Sequence, residues 1–293
     1  MSNDTAGAPV GLSDDIDGCV GFLHNWQLFC DWSVRAQMKG RDEVPQILDF
    51  VDSLLEVYRD DTVSVARIGD GEFGLATGVA VPNNGCQAAD ESLREAMQRV
   101  LRCDNPKCRV ALAKSFFYSD PSCVPQDIDD FANKIFMPQA EAGDYLKYVV
   151  PGYKYLDASM SVVRKHYPTI SRKVYAAYYS VLRQVLLGKD VIVVSGDSRC
   201  FEYERNLLND CGVNSTSYLS VPQKGAWANY DAIKKWLLDM NGSGSRLVLL
   251  GCGPTATVLA YELADTMRCL DVGHMFADYN LAFGGADLGS FWA

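Results

Sequence analysis

The chain has 293 residues, 48% hydrophobic and 22% charged, with a formal net charge of −10. This length supports a substantial core in one large domain or two small ones. The acidic balance argues against nucleic acid as the main partner, because a phosphate backbone must be met by a basic surface.

No apolar run approaches the roughly 18 residues of a membrane span. The start, MSNDTAGAPVGLSDDIDG, is polar and acidic, without the basic and apolar parts of a signal peptide. Residues 1–18 are therefore expected to form a flexible tail on a cytoplasmic protein. Residues 19–60 read as an N-terminal helical segment. Within it, EVPQILDFVDSLLEVY spaces its apolar residues for a helix, with Pro45 tolerable only in the first turn.

From residue 61 onward strands and helices alternate. TVSVARI reads as a strand, ESLREAMQRVL as a helix, CRVALAKSF as a strand and VPQDIDDFANKIF as a helix. A longer helix, ISRKVYAAYYSVLRQVLLG, is closed by Gly188. DVIVVSG has the consecutive β-branched residues of a buried strand. FEYERNLLNDCG (helix), STSYLSV (strand), AWANYDAIKKWLLDM (helix), SRLVLL (strand), TATVLAYELAD (helix) and MRCLDV (strand) complete the pattern. Strands joined through helices are parallel crossover units, so an α/β fold is expected. It would be a single large domain with a Rossmann-like parallel sheet and helices on both faces. The ten cysteines include no C-x-x-C pair, and three histidines complete no zinc spacing with them. Reduced thiols packed as small core residues are expected.

In such sheets ligands sit beyond the carboxyl ends of the strands. After TVSVARI comes GDGE, where Gly69 and Gly71 flank Asp70 and Glu72 follows. Two carboxylates this close repel each other, and a divalent cation with oxygen ligands would offset the repulsion. Arg67 stands beside them, placed to pair with a carboxylate or a phosphate. A solvated Gly-Asp turn is the plainer alternative. After DVIVVS, Ser198 and Arg199 approach a helix start, a setting that favours an anion; an ordinary capped helix is the alternative. Lys224 follows STSYLSV, either facing a phosphate or solvated. Asp271, His274 and Asp278 follow the last apolar strand, with His274 and Asp278 as candidate bases.

The segment LVLLGCGPTATVLAYELADTMRCLD has the grammar of a methyl-donor or dinucleotide loop, with Asp271 20 residues after Gly251. Its position argues otherwise: only 42 residues follow Gly251, and Thr255 replaces a third glycine. An S-adenosylmethionine-dependent methyltransferase is therefore the second reading. The rings in SFFYSDP and YLKYVVPGYKY, Tyr118 and Tyr153 among them, either line an acceptor groove or pack the core. Arg164 is a weaker pocket candidate.

Five segments in order resemble the GT-D-type glycosyltransferases: VARIGDGEF, GKDVIVVSGDSR, VPQKGAWANYDAI, LLGCGPTATVLAYELA and LDVGHMFADY. The resemblance runs from about Val63 to Tyr279 and implies a catalytic domain over 61–293. It implies that Asp70 and Glu72 hold Mn²⁺ or Mg²⁺ on the diphosphate of a nucleotide sugar, with a uridine diphosphate sugar expected. Arg67, Gly69, Gly71, Ser198, Arg199, Lys224, Gly253, Pro254 and Thr255 would then form the donor pocket. Asp278, or His274 in second place, would be the base for a hydroxyl of a glycan or glycoconjugate acceptor. Cys200, Phe201 and Glu202, and the stretch from Phe276 to Asn280, depart from the family pattern. A non-catalytic sugar-nucleotide-binding module is the third reading.

Overall fold

The computed structural model describes residues 13–23, 45–78, 90–113, 146–161, 172–196, 206–242 and 245–284. Eight strands form one sheet, every pairing parallel. They are β1 (Gln46–Ile47), β2 (Ser64–Ile68), β3 (Cys108–Leu112), β4 (Lys154–Asp157), β5 (Asp190–Ser195), β6 (Ser215–Ser220), β7 (Leu247–Gly251) and β8 (Cys269–Asp271). Their order across the sheet is β1-β4-β3-β2-β8-β7-β5-β6. The central strands are buried almost end to end, as expected for a parallel sheet covered on both faces.

The described α-helices are α1 (Phe50–Arg59), α2 (Asp70–Thr77), α3 (Glu91–Val100), α4 (Arg172–Leu186), α5 (Leu207–Cys211), α6 (Tyr230–Asn241), α7 (Pro254–Glu262) and α8 (Met275–Tyr279). Right-handed crossovers put α2, α3, α6 and α7 on one face and α4 and α5 on the other. On the second face, Leu54 and Val57 of α1 and Tyr178 and Leu182 of α4 surround a small apolar cavity against Val65, Leu249 and Leu270. α7 is buried nearly all round, against β2, β8, β7 and α3.

Several elements differ from the sequence reading. Pro45 does not open a helix: Gln46 and Ile47 pair with Lys154 and Tyr155 of β4, and the helix begins at Phe50. β4 was not anticipated. Gly152, at φ 76°, turns the chain into this four-residue strand from within the aromatic stretch. GDGE is not a free turn, because Asp70 is the first residue of α2. The described helix at 207–211 starts later than expected, after Asn206, whose side chain accepts from the amides of Leu208 and Asn209 at 3.1 Å each. AWAN forms a 3-10 turn before α6. The helix expected over VPQDIDDFANKIF lies outside the described residues, as do Tyr118, Arg164, Ser198 and Arg199. Cys19, Cys108, Cys211, Cys252 and Cys269 are buried free thiols.

Candidate active site

All eight strands point the same way, so their carboxyl ends share one edge of the sheet. After β2 and β7 the chain turns to one face, and after β5 and β8 to the other. The crevice between these exits is where such sheets bind ligands.

β2 delivers Arg67 and then the N-terminus of α2. Glu72, in the first turn of α2, reaches back so that its Oε2 accepts from the Gly69 amide at 2.8 Å. Acidic residues are favoured in a helix's first turn, where they meet unpaired amides and the positive end of the helix dipole. Glu72 is buried all the same. A Cβ built on Gly69 would lie 2.7 Å from Glu72 Oε2 and 3.4 Å from an Arg67 guanidinium nitrogen. The carboxylate and the guanidinium therefore both border the Gly69 backbone. Arg67 Nε also donates to the Ala158 carbonyl at 3.4 Å, tying it to the chain just past β4. Asp157, which ends β4, is fully buried and accepts from the amide and hydroxyl of Ser159.

Asp271 ends β8 next to β2. Its Oδ2 accepts from the Arg67 amide at 3.3 Å and lies 2.9 Å from the Thr257 hydroxyl, and its Oδ1 accepts from the Gly273 amide at 3.2 Å. Burial lifts its carboxyl to about 7; the Arg67 charge opposes the shift and the Glu72 charge adds to it. The Thr257 oxygen also lies 2.9 Å from the Arg67 carbonyl. A hydroxyl has one proton to give. With Asp271 protonated, Asp271 donates to Thr257 and Thr257 to Arg67, and the chain of bonds closes.

β7 delivers the glycine loop. A Cβ on Gly251 would meet the Gly273 carbonyl at 3.3 Å and Ser195 Oγ at 3.7 Å, so β5, β7 and β8 converge there. Gly253 adopts φ 63° and ψ −147°, a region essentially reserved for glycine, and Pro254 follows as the first residue of α7. Thr255 is fully buried, and its hydroxyl has no hydrogen-bond partner among the described residues. After β6, the turn carrying Lys224 folds over the end of β5: a Cβ on Gly196 would lie 2.6 Å from Gln223 Cα. Lys224 itself is exposed.

The two candidate bases differ in access. His274 is exposed and stands at the N-cap position of α8, with no side-chain cap to that helix. Asp278 is fully buried, and the Tyr179 hydroxyl donates to its Oδ2 at 2.9 Å. Burial, reinforced by the Asp278 charge, keeps the phenols of Tyr178 and Tyr179 protonated. An enclosed carboxylate cannot meet an acceptor hydroxyl while α8 stays packed. Tyr279 donates to Asp210 on α5 at 2.5 Å and anchors the same helix.

The structure thus gathers Arg67 and Glu72 beside Gly69. It places Gly253, Pro254, Thr255 and His274 on the same edge and sets Asp278 below it. The side chain of Asp70 is outside what is described. The sequence reading missed Asp157, Thr257 and Tyr179. Asp157 went with the unrecognised β4. Thr257 and Tyr179 lie inside helices with nothing local to mark them.

The family model "Glycosyltransferase GT-D fold" matches residues 65–286, most of the chain. The chain belongs to the GT-D glycosyltransferase family. The match includes the glycine loop, which removes the ground for the methyl-donor reading. It is 26% identical over 231 residues to "Probable glycosyl transferase Gly" of Streptococcus gordonii, covering 78% of this chain and 32% of that protein. It is 23% identical over 235 residues to "Glycosyltransferase GlyD" of Streptococcus pneumoniae, covering 78% of this chain and 27% of that protein. The chain therefore spans about a third of the length of the curated relatives it matches. A solved structure of the domain of unknown function 1792 is similar with a TM-score of 0.64 and 26% identity, over 83% of each chain. No helix among the described residues is long and apolar enough to cross a membrane.

Proposed function

We propose that this GT-D chain transfers a sugar from a uridine diphosphate sugar to a hydroxyl of a glycan or glycoconjugate, using Mn²⁺ or Mg²⁺ at Asp70 and Glu72. The reading is carried by the convergence of the Glu72 carboxylate, the Arg67 guanidinium and the N-terminus of α2 beyond the end of β2. Oxygen donors of this kind fit the two cations. Among the described residues no three His, Cys, Asp or Glu side chains gather closely enough to hold a metal by themselves. A cation at this pair would complete its shell with phosphate and water oxygens, the usual way of binding Mg²⁺. Bound there, it supplies positive charge against which a diphosphate departs.

The chain's own residues do the rest. Arg67, Arg199 and Lys224 are the cationic donors to the diphosphate. The N-terminus of α7, freed by the Gly253 turn, offers amides to the same anion beside Thr255. His274, exposed where Asp278 is not, takes the proton of the acceptor hydroxyl. Asp278 and Tyr179 hold α8 so that His274 faces the crevice.

The test is release of UDP from a panel of uridine diphosphate sugars, with acceptors, in Mn²⁺, Mg²⁺ or chelator. Release that needs the cation and falls by about 10²-fold or more in Asp70→Asn supports the reading. Wild-type rates in that variant, or undiminished release in chelator, overturn the metal assignment. Binding of the nucleotide sugar without turnover on any acceptor would make the chain a binding module.

A further inference from the structure

We infer that Thr257, through Asp271, is a positioning residue that aims the end of β2, and with it the Arg67–Glu72 site; this rests on the function proposed above. The sheet has a gap between β2 and β8. β2 pairs with β8 at Val65 and Leu270, and β8 stops at Asp271. The amide that would meet the Arg67 carbonyl in a continued ladder, that of Gly273, turns instead to Asp271 Oδ1 at 3.2 Å. On the β8 side, therefore, the β2–β8 register stops at Val65 and is not continued at Arg67, at the middle of a buried sheet.

Two side chains stand in for the missing strand. Asp271 Oδ2 accepts from the Arg67 amide at 3.3 Å, and the Thr257 hydroxyl lies 2.9 Å from the Arg67 carbonyl. Thr257 is itself 2.9 Å from Asp271 Oδ2, so the substitutes brace each other. Thr257 is fully buried in α7, the helix that follows the glycine loop. One hydroxyl thereby links the helix behind the loop, the last residue of β8 and the residue two places before Gly69. Buried backbone groups left unpaired are costly, so a chain deprived of this hydroxyl would shift to recover a partner. A shift at Arg67 moves its guanidinium and the start of α2 together.

The test compares Thr257→Val, which keeps the shape and removes the hydroxyl, with Thr257→Ser, which restores it. Two measurements are made on the full chain: amide hydrogen exchange over residues 64–73, and Mn²⁺-dependent UDP release from a uridine diphosphate sugar. In Thr257→Val, exchange in that segment is expected to rise about tenfold or more while the β5–β6 strands stay protected. UDP release is expected to fall by about 10–100-fold, and Thr257→Ser should recover most of both. Unchanged exchange in Thr257→Val overturns the inference. So does equal loss in Val and Ser, which would assign the effect to packing of the methyl group. Should the wild-type chain release no UDP, the proposed function fails, and the exchange comparison alone still decides whether Thr257 holds β2.

Discussion

Gly69→Ala isolates the geometry on which the proposed site depends. Gly69 has φ −101° and ψ −168°, an extended conformation that alanine adopts without strain. The whole effect must come from the added Cβ, which would lie 2.7 Å from Glu72 Oε2. Ordinary contact begins near 3.4 Å, so the carboxylate must retreat by about 0.7 Å. Its 2.8 Å bond from the Gly69 amide is then lost. Loss of such a cap costs about 1 kcal/mol, a fall in Tm of about 2–4 °C for a domain of this size. A displacement approaching 1 Å in a group that orients the reaction costs about 10²-fold in rate. The assay is UDP release against Mn²⁺ and donor concentration, alongside thermal melts. Glu72→Gln is the companion, since it keeps an oxygen for the Gly69 amide and removes the charge. Activity in Gly69→Ala within a few-fold of wild type, at low as well as saturating Mn²⁺, would refute the claim that Glu72 works from this position.

Gly196→Ala should act on stability instead, because its Cβ would meet the Gln223 backbone at 2.6 Å and backbone cannot swing aside. A loss of about 1–3 kcal/mol in denaturant unfolding is expected, and an unchanged midpoint would show that the Lys224 turn is not seated on β5. Tyr179→Phe leaves the buried Asp278 without its phenolic donor and should cost about 1–3 kcal/mol while lowering kcat through α8; a Tm within error of wild type would contradict this. Asp271 binds its proton more tightly in the folded chain, at about 7, than at its ordinary value of 3.8. Its contribution is therefore complete below about pH 4 and is lost as pH rises toward 7, by up to about 1.4 kcal/mol per pH unit. Unfolding free energies of wild type and Asp271→Asn from pH 4 to 8, without divalent cation, should diverge with that sign, and a pH-independent difference would refute it.

Much of this architecture is legible in the sequence because local and tertiary preferences agree. DVIVV and LVLL are apolar runs too short for helices, and both are central strands. The long amphipathic run ending at Gly188 is a helix because its period and its C-terminal glycine, at φ 67°, say the same thing. Where they conflict, tertiary context decides. Asp70 to Thr77 contains two glycines and has little helical preference of its own, yet it is helical because Glu72 caps it and β2 launches it. β1 and β4 are too short to announce themselves and exist because they pair with neighbours. The acid pair at 70 and 72 can be read from its spacing. The inaccessibility of Asp278 and the role of Thr257 cannot, since each depends on a partner far away, Tyr179 in one case and Arg67 in the other.

The strand order has a consequence for how the protein is made. β2 and β8 are neighbours at the middle of the sheet although Val65 and its partner Leu270 are 205 residues apart in sequence. Contacts so distant in sequence form late and slow folding. On the ribosome, β2 must wait with one side bare until β8 has been synthesised. The edge that carries the candidate site is therefore finished only once β8 has been made, and a chain cut short before Cys269 would carry an open seam through the centre of its sheet.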